Sequence, residues 1–350
     1  MKVGIVSWGT AIPSQAVSTK VISASQGKSD NPGEGLGINQ KTCPAQDEDS
    51  ATLAIQATQL AFARSTHQDQ MSDLGSILIG SESHPYAVKP TGTIVAQALG
   101  LPVNVSMADL QFACKAGTQA IQLSLAQVQS GQIKLGLAIG SDTAQSKPGD
   151  ILEYTAGSGA GAYLLGSSDH YSLVANLIDT YSLATDTPDF WRRNLAIYPE
   201  HAGRFSAEPA YFYHITNLAK QILSRNNLAP SDIDYCIFHT PNAKFPLQVA
   251  QILGFTLDQL KYRLPVKEIG NTCAAAVPLA LANVLDHASS HQKILLVSYG
   301  SGAGSDAFIF ETTPHLAQLQ GSSIDSLTAQ ISHLVQLSLN DYLKLRQRLH

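Results

Sequence analysis

The chain is short of charge and of thiols. Of its 350 residues, 14% are Asp, Glu, Lys or Arg, and the formal net charge is −5. No basic run exists that would follow a nucleic-acid backbone, so no nucleic-acid partner is expected. No stretch of about 18 apolar residues runs uninterrupted, so no membrane span is expected either. The opening residues, MKVGIVSWGTAIP, carry one Lys and a short apolar run before Gly and Pro. That reads as a first strand and not as a secretory signal. Hydrophobic content of 44% rules out a disordered chain. The four cysteines, Cys43, Cys114, Cys236 and Cys273, show no CxxC spacing. They read as free thiols of a cytoplasmic protein.

Cofactor motifs are scarce as well. His287 and His291 have helical i, i+4 spacing, but no Glu follows the first as a zincin motif requires, so no metal ligand set is expected. The pentapeptide GSGAG occurs at 157–161 and again at 300–304. A dinucleotide-binding loop must lead into a helix, whereas AYLL and SDAFIF, which follow the two copies, are strand-like. Tight turns and close backbone approach explain these glycines better. No bound cofactor is expected.

What the chain does have is internal duplication. At an offset of 157 residues, GSILIGSE lands on DIDYCIFH, and the residues after Phe112 land on those after Ile269. Glu82 then pairs with His239, each following an apolar strand-like run. Cys114 pairs with Asn271, each opening a small-residue, helix-like run. The GSGAG copies are offset by 143 residues, so the first half carries an extra segment near Ser141 to Ala156. Two copies make a duplicated domain and not a solenoid. The halves are placed at 1–167 and 168–350.

Apolar and amphipathic runs alternate, the pattern of an α/β protein. Strands are expected at 2–7, 77–80, 135–140, 162–165, 235–238, 294–299 and 307–310. Helices are expected at 51–64, 91–99, 114–129, 210–225, 245–254 and 273–287, and the tail after Thr312 is helix-like. Residues 185–209 form the longest irregular stretch, either a binding loop or a surface crossover.

The duplicated positions suit nucleophilic catalysis. Cys114 before a helix start is expected to favour the thiolate, and the N–H groups there could hold an oxyanion. His239 after a strand suits general acid–base work, and Asn271 suits orientation by its amide. Glu82 in GSESHPYAVKPT suits a buried base that takes a proton from carbon beside a thioester. His84 has a weaker claim. Read without partners, the same residues are a buried thiol, a structural His, an N-cap and a loop carboxylate.

On GSESHPYAVKPTGTIVAQALG, FACKAGTQA, GLAIGSDTAQSKPGDILEYTAGSGAGA, TDTPDFWRR, HAGRFSAEPAYF, FHTPNAKFPLQVA, IGNTCAAA and VSYGSGAGSDAF, the chain resembles the thiolase superfamily, and within it the archaeal-type hydroxymethylglutaryl-CoA synthases. The resemblance covers nearly the whole chain. It implies an internally duplicated, five-layered αβαβα fold and condensation of acetyl-CoA with acetoacetyl-CoA in the mevalonate pathway. Cys114 would carry the acetyl group, Glu82 would deprotonate it, and His239 would place and protonate the ketone. It further implies substrate contacts at Thr155, Ser206, Asn271, Ser301 and Asp30, and CoA contacts at Arg204 and Lys244. A homodimer is implied, as is association with an acetoacetyl-CoA thiolase and a small zinc-containing protein. Where the family usually has Arg or Lys, this chain has Gln248, and GNTCAAAVP is closer to ketoacyl-ACP synthase III. Two alternatives follow: a ketoacyl-ACP synthase III-like enzyme, or a catalytically silent acyl-CoA-binding subunit.

Overall fold

Nine strands form one continuous sheet: β1 (Val3–Ala11), β2 (Leu74–Gly80), β3 (Ser106–Leu110), β4 (Leu135–Thr143), β5 (Ser158–Ser167), β6 (Ala175–Ala184), β7 (Tyr235–Phe238), β8 (Lys293–Val297) and β9 (Gly304–Thr312). Their order is β7-β8-β9-β6-β1-β5-β4-β2-β3. Read outward from the middle, β1-β5-β4-β2 repeats as β6-β9-β8-β7, with parallel pairing at β4–β2 and at β8–β7. The duplication read from side chains is thus a duplication of topology. The computed structural model describes residues 1–67, 70–262, 265–322 and 324–348, without the side chains of residues 70, 204, 347 and 348.

Six helices cover the sheet: α1 (Ser50–Arg64), α2 (Thr91–Leu99), α3 (Ala116–Gln129), α4 (Tyr213–Arg225), α5 (Lys244–Leu253) and α6 (Ala276–Leu285). Helices α3 and α6 touch each other and pack between the two halves of the sheet. All ten residues of α6 are buried, which is why AVPLALANVL is apolar on every side. Pro278 is tolerated there because it sits in the first turn, where its missing N–H has no intrahelical partner to lose. Helices α1 and α2 cover the outer face of the first half, and α4 and α5 that of the second. The layers therefore run helix, sheet, helix pair, sheet, helix. One core, around Trp8, Ile121, Leu281 and Phe308, fills the middle. Two more lie under α1 and under α4.

Among the described residues, the two half-sheets pair only through Gly4↔Asn176 and Ile5↔Ala175. Strand β6, absent from the expected elements, lies on the second-half side of that seam. The helices expected from 114 and 273 begin later: α3 starts at Ala116, and α6 follows a 3₁₀ turn at Cys273–Ala275. The helix expected from 210 is a π-helical stretch, Ala207–Phe212, leading into α4. The first GSGAG copy lies largely inside β5, so close approach and not a turn explains its glycines. The second is a loop that turns at Gly302. The tail after Thr312 returns to the first half. Val335–Gln336 pairs with Gln15–Ala16, and helix α7 (Leu339–Arg348) sends the Tyr342 hydroxyl to Glu153 Oε1 at 2.7 Å.

Candidate active site

Strands β2 and β7 occupy equivalent places in the two halves. The turn after each delivers a polar residue, Glu82 and His239, to the same cavity of about 540 Å³. Cys114 and Asn271 reach it from the turns before α3 and α6. Each follows a residue in the left-handed backbone region, Ala113 at φ 44° and Gly270 at φ 76°. The turns differ, since Gly270 is extended at ψ −175°, but both need a positive φ. Glycine adopts it freely, whereas alanine stores about 1–2 kcal/mol of strain. Ala113→Gly is expected to relieve that strain and leave the chain as stable or about 0.5–1 kcal/mol more stable, as urea unfolding would show.

The Cys114 thiol donates to Glu82 Oε1 at 2.9 Å. Glu82 is held in turn by Asp142, at the end of β4. Asp142 Oδ1 accepts from the Glu82 N–H at 2.8 Å, the Ser83 N–H at 3.0 Å and the hydroxyls of Ser81 and Ser83, both at 2.7 Å. Its Oδ2 accepts from the Ala274 N–H at 2.7 Å, across the junction of the halves. Burial, then the charge of Asp142, push the Glu82 carboxyl up to about 7. Glu82 is thus poised to exchange a proton near neutral pH. Burial alone drives His239 down to about 3, so its ring is neutral at pH 7. Its Nδ1 has no hydrogen-bond partner.

The expectation of a lowered Cys114 pKa does not hold. The thiol is pushed well above its ordinary value by its contact with Cys273, by burial and by Glu82. The helix start cannot offset these effects. Helix α3 begins two residues on, and the N–H groups of Lys115 and Ala116 bond Phe112 and Ala113. The neighbouring cation is spent elsewhere, because Lys115 Nζ pairs with buried Asp306 at 2.9 Å. Cys114 rests as a thiol and needs a base to become a nucleophile.

Thr155, Ser206 and Ser301 also line the cavity. Gly300 lets the Ser301 loop close on the cysteine turn, since a Cβ there would lie 2.4 Å from the Phe112 carbonyl oxygen. Gly300→Ala is expected to destabilise by about 1–3 kcal/mol and to slow labelling of Cys114 by a thiol reagent, measured by thermal melting and mass spectrometry. Asp30 is exposed before Pro32 and is not among the lining residues. Lys244, at the start of α5, is exposed and also outside the lining, with Gln248 exposed one turn further on. Arg204 lies on the Gly203–Ser206 helix, and its side chain is outside those described. His84 is held by Thr91 at 2.7 Å and Asp109 at 3.3 Å, away from the cavity lining.

Residues 185–209 do reach the site. Phe190, Trp191, Arg192 and His201 line the cavity, and Phe190–Trp191 pairs with Glu200–His201. Buried Asp189 anchors this loop, accepting from the Tyr299 hydroxyl at 2.5 Å and the Gly302 N–H at 2.9 Å. The sequence reading missed Asp142, Asp189 and Cys273. A carboxylate closing the apolar run LGLAIGSD was a usable signal for Asp142. Cys273, two residues past Asn271, was visible in GNTC, but at the 157-residue offset it pairs with Ala116 and so carried no symmetry signal. Its sulfur, the Cys114 sulfur and a Glu82 oxygen all lie within 4.8 Å of one another.

A duplicated chain with a thiol, a carboxylate, an imidazole and an amide in one pocket between its halves defines a thiolase-fold condensing enzyme. The chain is 49% identical over 318 residues to the hydroxymethylglutaryl-CoA synthase of Methanocaldococcus jannaschii, covering 91% of each. It is 45% identical over 349 residues to that of Methanopyrus kandleri, covering 99% of this chain and 98% of the other. The chain belongs to the hydroxymethylglutaryl-CoA synthase family. Residues 223–312 also match the C-terminal region of 3-oxoacyl-[acyl-carrier-protein] synthase III. The fold is that of solved HMG-CoA synthases. One, complexed with CoA, superposes at a TM-score of 0.86 with 22% identity over 98% of this chain and 90% of the other. Another, from curacin biosynthesis and in complex with an apo donor acyl carrier protein, has a TM-score of 0.87 with 21% identity over 100% and 89%.

Proposed function

We propose that this chain condenses acetyl-CoA with acetoacetyl-CoA to give 3-hydroxy-3-methylglutaryl-CoA, the step that feeds the mevalonate route to isoprenoids. The observation that carries this reading is the hydrogen bond between the Cys114 thiol and the Glu82 carboxylate. A carboxylate this close reaches both the sulfur and the methyl group of an acetyl carried on it. In the first step Cys114 attacks the acetyl-CoA carbonyl. The acetyl group moves to sulfur and the thiol proton leaves with CoA. Glu82 then removes a methyl proton, and the enolate carbon bonds to the ketone carbon of acetoacetyl-CoA. The neutral His239 ring donates a hydrogen bond to the ketone oxygen and passes its proton to the new alkoxide as it recovers one from Glu82, so the proton taken from the methyl group ends on the product hydroxyl. Water hydrolyses the Cys114 thioester and frees the product. These transfers use side chains alone, so the reading needs no resident cofactor.

Asn271, Thr155, Ser206 and Ser301 are proposed to hold the acyl groups. Arg204 and Lys244 are proposed to meet the nucleotide phosphates outside the cavity, with Gln248 leaving one fewer cation on α5. Asp30, exposed and off the lining, is given no contact. We place the enzyme in the cytoplasm, on its four free thiols and on the lack, among described residues, of a helix long and apolar enough to cross a membrane. A homodimer and a complex with a thiolase and a small zinc-containing protein belong to the same proposal.

The match of residues 223–312 to the acyl-carrier-protein synthases supports a second reading, a carrier-dependent condensing enzyme. One experiment separates the two. Labelled acetyl-CoA is added first, then either acetoacetyl-CoA or malonyl-ACP. Labelled 3-hydroxy-3-methylglutaryl-CoA supports the main reading, and product only with malonyl-ACP supports the second. A chain that never takes label on Cys114 overturns both.

A further inference from the structure

From the placement of Glu82, Cys114 and Cys273 around one opening, we infer that the pocket is also a binding site for a thiophilic divalent cation of the zinc type, which caps the nucleophile. Two sulfurs and a carboxylate oxygen are a donor set that zinc accepts. Zinc sits about 2.3 Å from sulfur and about 2.0–2.2 Å from oxygen, so its ligands lie roughly 3.3–3.8 Å apart. Here the three donor atoms fall within 4.8 Å of one another, with the Cys114–Glu82 pair at 2.9 Å. Small side-chain adjustments would suffice.

Three further features favour a ligand here. All three residues line the open cavity, so an ion has an entry path. His239, 2% exposed and with an unpartnered Nδ1, lines the same cavity, outside the cluster of three donors. Asp142 fixes the Glu82 turn through Oδ1 and the Cys273–Ala274 turn through Oδ2, an outer-shell arrangement that steadies metal ligands. Binding is a proton exchange. Each thiol gives up its proton to solvent as its sulfur bonds the cation, and the bound ion holds Cys114 away from acetyl-CoA. The capped state forms without turnover, so the inference stands apart from the condensation reading.

Cobalt(II) is the probe, because thiolate ligation gives it a near-ultraviolet charge-transfer band. One equivalent of Co²⁺ added to the purified protein is expected to produce that band. Zn²⁺ should displace it, prior acetylation with acetyl-CoA should abolish it, and Cys114→Ala and Cys273→Ala should each lose most of it. Mg²⁺, which prefers oxygen ligands, should not compete. In the unaltered protein, Zn²⁺ should slow alkylation of Cys114 by iodoacetamide about tenfold, and a chelator should restore it. That measurement decides the matter if a variant does not fold. Absence of the band with no protection from alkylation overturns the inference. So does a band of full strength in both variants, which would place the ion on other thiols.

Discussion

Glu82→Gln is expected still to acetylate Cys114, but more slowly because Glu82 also receives the thiol proton, and to lower the condensation rate of the acetylated enzyme by about 10²–10⁴-fold, the usual share of a positioned general base. Glutamine keeps the length of the side chain and an oxygen that can accept from the Cys114 thiol. It removes only the ability to take a proton. Single-turnover experiments with labelled acetyl-CoA followed by acetoacetyl-CoA separate the two half-reactions, and normal condensation in this variant would show that the base lies elsewhere. In the unaltered enzyme the carboxyl titrates near 7, because burial and Asp142 disfavour its charged form. Only the carboxylate can accept the methyl proton, so the condensation rate should rise with pH through about 7 and then level. The His239 ring, titrating near 3, stays neutral throughout and adds no limb in that range.

Cys114→Ala should abolish acetyl transfer and lower turnover by a factor on the order of 10⁴–10⁶, the loss seen when a nucleophile acting with its partners is removed. Mass spectrometry should find no acetyl group on the protein, whereas Cys43→Ala and Cys236→Ala should label normally. Those two thiols lie outside the residues lining the cavity. Because Cys114 rests protonated, acetylation itself should slow at low pH, as less of the Glu82 carboxylate is available to receive the thiol proton. Acetylation that proceeds equally well at pH 5 and pH 8 would show that another group activates the sulfur.

Much of this site was readable from position alone. Residues that follow strands and open helices at a constant offset must meet if the two halves fold alike, and Glu82, Cys114, His239 and Asn271 do line one cavity. The outer helices were readable because their buried stripe recurs at helical spacing. Strand β6 was not. It pairs with β1 at only two positions, so much of that edge is open and half of ANLIDTYSLA is polar. The protonation state of Cys114 was also hidden. It depends on the contact with Cys273, on burial and on Glu82, and none of these three-dimensional relations leaves a local pattern. The reach of the 185–209 loop depends on Asp189, an acid in a polar stretch whose burial cannot be read from its neighbours.

The Asp142 carboxylate acts as a mechanical rivet. One oxygen grips the loop that bears the proton acceptor, and the other grips the backbone beside the second thiol, on the opposite repeat. Any shear between the repeats must therefore carry both sides along or break the rivet. The distance between the acceptor and the Cys273 sulfur is thereby shielded from breathing of the larger framework.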